Sequence, residues 1–434
     1  ERARHNFPIS QLRPLAPFVD AVIWIKKAAA LTHKETGRLE ARLADAIVRA
    51  ADEVLAGSYR DQFVVDPYQA GAGTSHNMNC NEVLANRANE LLGGTRGSYA
   101  PVHPNDHVNM AQSTNDVIPT AMRLATLATL PSLLDAMNAL GGELISKGQE
   151  FDGIVKSGRT HLQDATPIRL GQEFLAYAHT VLRHTEKLHQ AADWLREMNI
   201  GGTAVGTGIN AEPDYPGLMV KHLRQVSGLE LREGQDRVQL MQSMGDIATL
   251  SGAFRAYVLD LNKIANDIRL LASGPRTGLA EILLPAVQPG SSIMPGKVNP
   301  VIPEAACMVA AQVMGNDTTI MIGGQSGNFQ LNVMLPVIAY NLLQSIELLT
   351  NISRLLGESV IEGFTINKKA IQEALERNPI LITALNAVIG YEKGAAIAKK
   401  AYAEGRPIVE VALADPDVAK KGLKREDLLK LLNP

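Results

Sequence analysis

The run VQLMQSMGDIATLSGAFRAYVLDLNKIANDIRLL, residues 238–271, decides the architecture. Within it Leu240, Met244, Ile247, Leu250, Phe254, Val258, Leu261, Ile264, Ile268 and Leu271 follow one another at steps of three and four. That is the stripe of one continuous amphipathic helix. At about 1.5 Å per residue such a helix is roughly 50 Å long. Similar stripes run from about Thr120 to Gly148, where Pro131 is expected to bend the helix, from Leu170 to Met198, and from Pro336 to Leu356. Four or five helices of this length predict an all-α, mainly helical chain built on an elongated bundle. One such bundle leaves apolar sides over, which neighbouring subunits are expected to cover.

Composition agrees with helices packed side by side. Apolar residues make up 46% of the 434, yet aromatics only 4%, so Ala, Leu, Ile, Val and Met must fill the core. A chain of this length exceeds one ordinary core and predicts two or three domains sharing a long central element. The expected division is a mostly helical N-terminal domain over 1–114, a central long-helix bundle over 115–364, and a small, more charged helical domain over 365–434. The formal charge of −3, with both signs mixed along the chain, gives no footprint for nucleic acid or a membrane surface. No apolar run is read as membrane-spanning. Cys80 and Cys307 are too few for a disulfide framework or a cysteine metal site, so a reducing cytoplasm is expected. The chain opens at Glu1 rather than at a methionine, and an upstream segment is expected to precede it.

Polar, Gly-rich connections separate the stripes: residues 69–79, 103–116, 157–164, 201–210 and 289–300. They read as loops, and they concentrate the chain's Ser, Thr, Asn and His. Several familiar signatures fail on inspection. The run from Gly290 to Lys297 has one residue too many between its glycines for a phosphate loop, and Val298 stands where a hydroxyl is needed. The glycines at 202, 206 and 208 follow a helical stretch rather than a strand, against a dinucleotide fold. His103 and His107 have metal-ligand spacing, but Pro104 and Asn105 predict a turn and no third ligand stands out. No metal and no organic cofactor is expected. His184 and His189 are expected at the surface of a charged helix face.

The segment that carries chemistry is Gly290-Ser291-Ser292-Ile293-Met294-Pro295-Gly296-Lys297-Val298-Asn299-Pro300. It holds two hydroxyls, a cation and an amide within nine residues. Gly and Pro on both sides suit a loop that opens and closes over a ligand. Lys297 and Asn299 are suited to clamp a carboxylate, and a serine to act on a nearby C–H if its alkoxide is stabilised.

That stretch resembles the signature of the fumarase/aspartase superfamily, whose members make fumarate by anti elimination. Three further runs resemble the family's other active-site regions, in the family's order. They are Gly71 to Asn79, Ser113-Thr114-Asn115-Asp116, and Gly158-Arg159-Thr160-His161-Leu162-Gln163-Asp164. The resemblance covers essentially the whole chain. It implies a three-domain fold whose long central bundle assembles into a tetrameric multi-helix core, with each active site built by three subunits. It puts the catalytic base on Ser291 and a carboxylate clamp on Lys297 and Asn299, assisted by Thr160. It puts the second carboxylate, next to the carbon that loses its proton, among Thr74, Ser113, Thr114 and Ser292. Asn115 and His161 fall near the leaving group, and Glu304 on the acid that pairs with the histidine.

Elementary chemistry supports those roles. A C–H beside a carboxylate is a very weak acid, because its loss puts two negative charges on one group. Neutral donors preset around that group stabilise the charge as it develops. Within the superfamily, Asn6 to Ser10, the run Gly71 to Ser75, Thr114 after Ser113, Pro300 to Glu304 and Leu331 to Met334 look like the aspartase branch. Gly323 to Phe329 and Ile389 to Lys393 look closer to the fumarase branch. The expected reaction is reversible deamination of L-aspartate to fumarate. Hydration of fumarate to L-malate is the alternative, and a catalytically silent helical homologue the remote one. Ser113 to Asn115 also precede a helix, so a helix cap is the plain structural reading of those three.

Overall fold

The computed structural model describes residues 1–290 and 293–431. The chain is mainly helical, as expected. Its first elements are α1 (Arg2–Asn6), α2 (Ala16–Glu35), α3 (Ala41–Leu55), α4 (Thr74–Leu91) and α5 (Thr114–Glu150). A hairpin follows, β1 (Val155–Thr160) and β2 (Gln163–Arg169), then α6 (Leu170–Asp193), β3 (Glu197–Met198), α7 (Tyr215–Ser227) and β4 (Arg232–Glu233). Next come α8 (Arg237–Gln242), α9 (Gly245–Leu271), β5 (Ile282–Leu283), α10 (Val301–Gly324), α11 (Leu335–Leu356) and β6 (Thr365–Ile366). Short helices close the chain: α12 (Lys368–Arg377), α13 (Ile382–Ile389), α14 (Tyr391–Glu404), α15 (Ile408–Leu413), α16 (Pro416–Lys420) and α17 (Arg425–Leu431).

The stripe over 238–271 is buried throughout, from Leu240 to Leu271. It does not form one helix. Ser243 is extended (φ −96°, ψ 128°) and separates α8 from α9. The Ser243 hydroxyl accepts from the Gly245 N–H, so a local side-chain bond competes with the helical ladder there. The 27 residues of α9 still span about 40 Å. Helix α5 runs through both Pro119 and Pro131. Contrary to expectation it is long and apolar enough to cross a membrane, but 78% of its most apolar stretch is buried inside the protein, as in a core helix. Helix α10 carried no stripe. It is apolar nearly all round, with Met308, Met321 and Ile322 exposed.

The chain divides into two compact units that alternate along the sequence. One comprises Glu1–Asp135, His184–Val258 and Val309–Thr350. In it α2 packs against α3, α4 and α7. Phe18 stacks on His76 at 4.9 Å and His33 on Tyr215 at 5.0 Å. Polar ties join its long helices: the buried Arg123 of α5 pairs with the half-buried Asp246 of α9 at 2.8 Å. Ser251 of α9 donates to Asp317 of α10 at 2.6 Å, and Asn316 of α10 donates to Ser345 of α11 at 3.0 Å.

The other unit comprises Ala136–Arg183, Leu259–Met308 and Asn351–Pro434. Here Phe174 stacks on Phe364, and Tyr177 of α6 donates to Asp267 of α9 at 2.8 Å. The antiparallel hairpin β1–β2 and the pair β5–β6 belong to this unit. The closing helices bury a core of their own around Leu381, Leu385, Ile397, Val409 and Val418. Asn378 ties that segment to the hairpin by donating to Ser157 Oγ and Ala165 O.

Candidate active site

In the first unit the expected hydroxyls stand at the starts of two helices. The segment Gly71–Asn79, read as a loop, is a short turn over Gly71–Gly73 followed at once by α4. Gly73 takes the left-handed conformation (φ 87°) that turns the chain into the helix, which leaves Thr74 exposed on its first residue. Thr74, Ser75, Met78 and Asn79 border a cleft of about 630 Å³ shared with Asn6 and Phe7.

Ser113 caps α5. Its Oγ accepts from the Asn115 N–H at 3.2 Å, and Asp116 Oδ1 accepts in return from the Ser113 N–H at 2.9 Å. The cap reading therefore holds for Ser113 but not for Thr114 and Asn115, whose side chains bond elsewhere, and at Ser113 it does not compete with the functional one. Capping uses a lone pair and leaves the hydroxyl proton available to donate. Thr114 Oγ1 accepts from Asn77 Nδ2 of α4 at 3.1 Å, so the two helix starts meet. Asn115 reaches across to donate to Ala204 O at 2.8 Å. The buried Asp116 Oδ2 accepts from the Gly201 and Thr203 N–H groups at 3.0 and 2.9 Å, pinning the 201–210 loop to the head of α5. Burial pushes the Asp116 carboxyl up to about 7, against the pull of those three N–H groups and of Lys26. Helix N-termini carry partial positive charge, so the joined starts of α4 and α5 suit an anion.

In the second unit Thr160 and His161 sit exposed at the tip of the β1–β2 hairpin, where a loop was expected. His161 and Leu162 form its two-residue turn, both with positive φ (56° and 59°). Pairing jumps from Ser157↔Pro167 to Arg159↔Asp164, so Ala165 and Thr166 of β2 bulge opposite Gly158 and re-aim the tip. A Cβ at Gly158 would lie 2.5 Å from the Thr166 carbonyl oxygen, so only glycine fits. Beneath the tip the buried Lys156 meets Glu173 and Glu281, at 2.8 and 2.7 Å, and Arg159 meets the same Glu281 at 2.7 Å.

The 289–300 segment is a loop over its described residues, and Lys297 and Asn299 are exposed. It begins just beyond β5, which pairs with β6, and ends at the start of α10. Glu304 is half-buried in the first turn of α10, a favourable place for a carboxylate on dipole grounds alone. Ser291 and Ser292 lie outside the described residues. Among the described residues no hydrogen bond joins His161, Lys297, Asn299 and Glu304 to one another.

Residues 1–315 match the family described as Lyase, and residues 381–434 match the Fumarase C C-terminus family. The chain belongs to the fumarase/aspartase family of lyases. It is 47% identical to an aspartate ammonia-lyase of Bacillus sp, over all of this chain and 92% of that one. It is also 47% identical to a class II fumarate hydratase of Xylella fastidiosa, over all of this chain and 90% of that one. Its fold superposes on a fumarate lyase/delta crystallin structure from Brucella melitensis bound to cobalt, with a TM-score of 0.94 and 47% identity, over 100% of this chain and 93% of that one. A class II fumarase structure from Schistosoma mansoni gives a TM-score of 0.93 at 35% identity, over 99% and 93%. Equal identity to the two activities establishes a lyase and leaves its leaving group to be argued.

In this lyase one ring nitrogen of each of His103 and His107 is taken up by the local backbone. His103 Nδ1 accepts from the Asn105 and Asp106 N–H groups, and His107 Nδ1 from the His103 N–H. The helical metal spacing is thus a self-capped turn over Pro104–Val108. Among the described residues no group of three or more His, Cys, Asp or Glu is placed to hold a metal ion. His189 is exposed, as expected, but His184 is not: it is buried against Tyr257 at 5.7 Å, on the apolar side of α6. Sequence reasoning passed over Lys26, Asn77, Asp116, Lys156 and Glu281 as individual functional candidates. The available signal was a charge inside an apolar run, as in Val22-Ile23-Trp24-Ile25-Lys26.

Proposed function

We propose that this lyase reversibly deaminates L-aspartate to fumarate and ammonia. The observation that carries the reading is the meeting of two helix starts, α4 and α5, each bearing neutral hydroxyls at Thr74, Ser113 and Thr114. Uncharged donors on positive helix ends suit a carboxylate that becomes doubly negative only during reaction.

In this reading Ser291 takes the proton from the carbon beside the side-chain carboxylate. The resulting charge is held by Thr74, Ser113, Thr114 and Ser292. Lys297 and Asn299, with Thr160, anchor the other carboxylate and so fix the reacting bond. The electron pair left on carbon then forms the double bond as the C–N bond breaks, with Asn115 and His161 beside the departing nitrogen and Glu304 paired to the histidine. The C–N bonding pair leaves on the nitrogen, so the substrate's ammonium departs as neutral ammonia, while Ser291, starting as its alkoxide, keeps the proton taken from carbon. The three regions are contributed by three subunits of a homotetramer, and a cytoplasmic setting suits the two free cysteines.

Supplying L-aspartate and, separately, L-malate while following fumarate absorbance tests the choice. Activity on malate alone reverses it in favour of class II fumarase, a reading favoured by the Gly323 to Phe329 and Ile389 to Lys393 runs. Ser291→Ala is expected to abolish turnover with folding and assembly unchanged. Full activity in that variant removes Ser291 as the base. A folded wild type inactive on both substrates favours the silent homologue.

A further inference from the structure

The Thr114 hydroxyl stands at the end of a hydrogen-bond chain that runs from a buried lysine through Asn109 and Asn77. Lys26 is fully buried on α2. Its ammonium, with three donors and no acceptor, gives bonds to Asn109 Oδ1 and Gln112 Oε1, each at 2.9 Å. The ammonium only donates, and the Gln112 carbonyl, which accepts from Asn109 Nδ2 at 3.2 Å, only accepts, so Asn109 turns its oxygen towards the lysine. That oxygen also accepts from Asn81 Nδ2 at 3.2 Å and from Asn77 Nδ2 at 3.3 Å. The reverse orientation of Asn77 would set oxygen against oxygen. Its amide nitrogen is therefore held between Asn109 and Thr114, and donates to Thr114 Oγ1 at 3.1 Å. Asn77 Oδ1 is buried with no hydrogen-bond partner among the described residues, so the amide's own bonding does not explain this orientation, whereas the Asn109 oxygen that Lys26 and the Gln112 carbonyl set does.

We infer that Lys26 and Asn77 are positioning residues, a buried cation and an amide that turn the Thr114 hydroxyl proton outward before any substrate arrives. A hydroxyl that accepts from Asn77 keeps its one proton for another acceptor. The inference rests on the dicarboxylate reading above and deepens it: Thr114 is a preset donor, which costs no reorientation as charge develops. Burial also holds the Lys26 ammonium down at about 7, so an apolar residue would be the cheaper occupant of this position, and the amine left on deprotonation still has two N–H donors for the same two oxygens. What the lysine supplies instead is the amide chain.

The test compares Asn77→Leu, Lys26→Met and Thr114→Val in the full chain, singly and in pairs. Fumarate production from L-aspartate and L-malate is followed, and fumarate binding is titrated by calorimetry. Asn77→Leu changes neither charge nor, appreciably, size. It is expected to weaken fumarate binding and raise KM about threefold to tenfold, and to add less than about twofold once Thr114 is valine. Lys26→Met is expected to follow the same pattern if it folds; if it does not, the Asn77–Thr114 cycle decides alone. Additive losses in that cycle, or unchanged fumarate affinity in Asn77→Leu, overturn the inference and leave the lyase reading standing. A wild type that neither turns over nor binds fumarate overturns the dicarboxylate reading itself, and this inference with it.

Discussion

Lys156→Met is the perturbation whose size the structure constrains best. Lys156 and Glu281 are each about 1% exposed, and the ammonium lies 2.7 Å from Glu281 and 2.8 Å from Glu173. Glu173 reaches solvent; Glu281 does not. Removing the lysine therefore leaves Glu281 a buried carboxylate with Arg159 as its one remaining ion-pair partner among the described residues. Losing one partner of a buried pair costs about 3–5 kcal/mol. Coulomb attraction at about 4 Å and an effective dielectric near 20 gives a similar figure, about 4 kcal/mol. The methionine fills nearly the same space, so little of this comes from a cavity. Urea unfolding of the wild type, Lys156→Met, Glu281→Leu and the double variant measures the coupling directly. The double variant is expected to lose clearly less than the sum of the singles. Because the pair is buried, 1 M salt is expected to change the loss little. A single-variant loss below about 1 kcal/mol, or one that vanishes in salt, would refute the reasoning.

Three further outcomes are expected. Burial, with Lys26 nearby, holds the His76 imidazole down at about 4 from its ordinary 6.5. Its neutral form thus contributes stability that is complete above pH 6.5 and is lost as pH falls towards 4, about 3 kcal/mol in all. His76→Phe should remove that loss, so parallel melting curves of variant and wild type across this window contradict it. Gly158→Ala presses a methyl group against the Thr166 carbonyl and shifts the hairpin tip. kcat/KM should fall roughly tenfold to a hundredfold, and an unchanged value shows that the bulge does not aim the tip. Asp116→Ala strips the acceptor from three backbone N–H groups, those of Ser113, Gly201 and Thr203. A loss of about 3 kcal/mol or more is expected in denaturant titration, and a change under 1 kcal/mol shows that other acceptors replace it.

The long helices were legible because an apolar stripe at steps of three and four has no other explanation. The break at Ser243 was not, since Leu240 and Met244 keep the stripe in phase across it. Helix α10 escaped because its apolar residues surround it rather than line one face. The start of α4 and the β1–β2 hairpin looked like loops for a compositional reason. Gly, Thr and Asn fill the first, and His161-Leu162 turns with positive φ without the glycine or asparagine that usually announces it. The identities of the candidate site residues were readable from motif runs. Their supports were not: spacing puts Lys26 or Lys156 on a face, but nothing in spacing says that the face is covered by Asn109 or Glu281.

The buried amine on α2 has one more consequence. An uncharged lysine nitrogen is a good nucleophile, and burial brings that state within reach near neutral pH. With no exposed surface, Lys26 reacts with an acylating reagent only while the helices around it are parted. Its labelling rate, set against that of exposed lysines such as Lys369, is a clock for the breathing of the α2 packing.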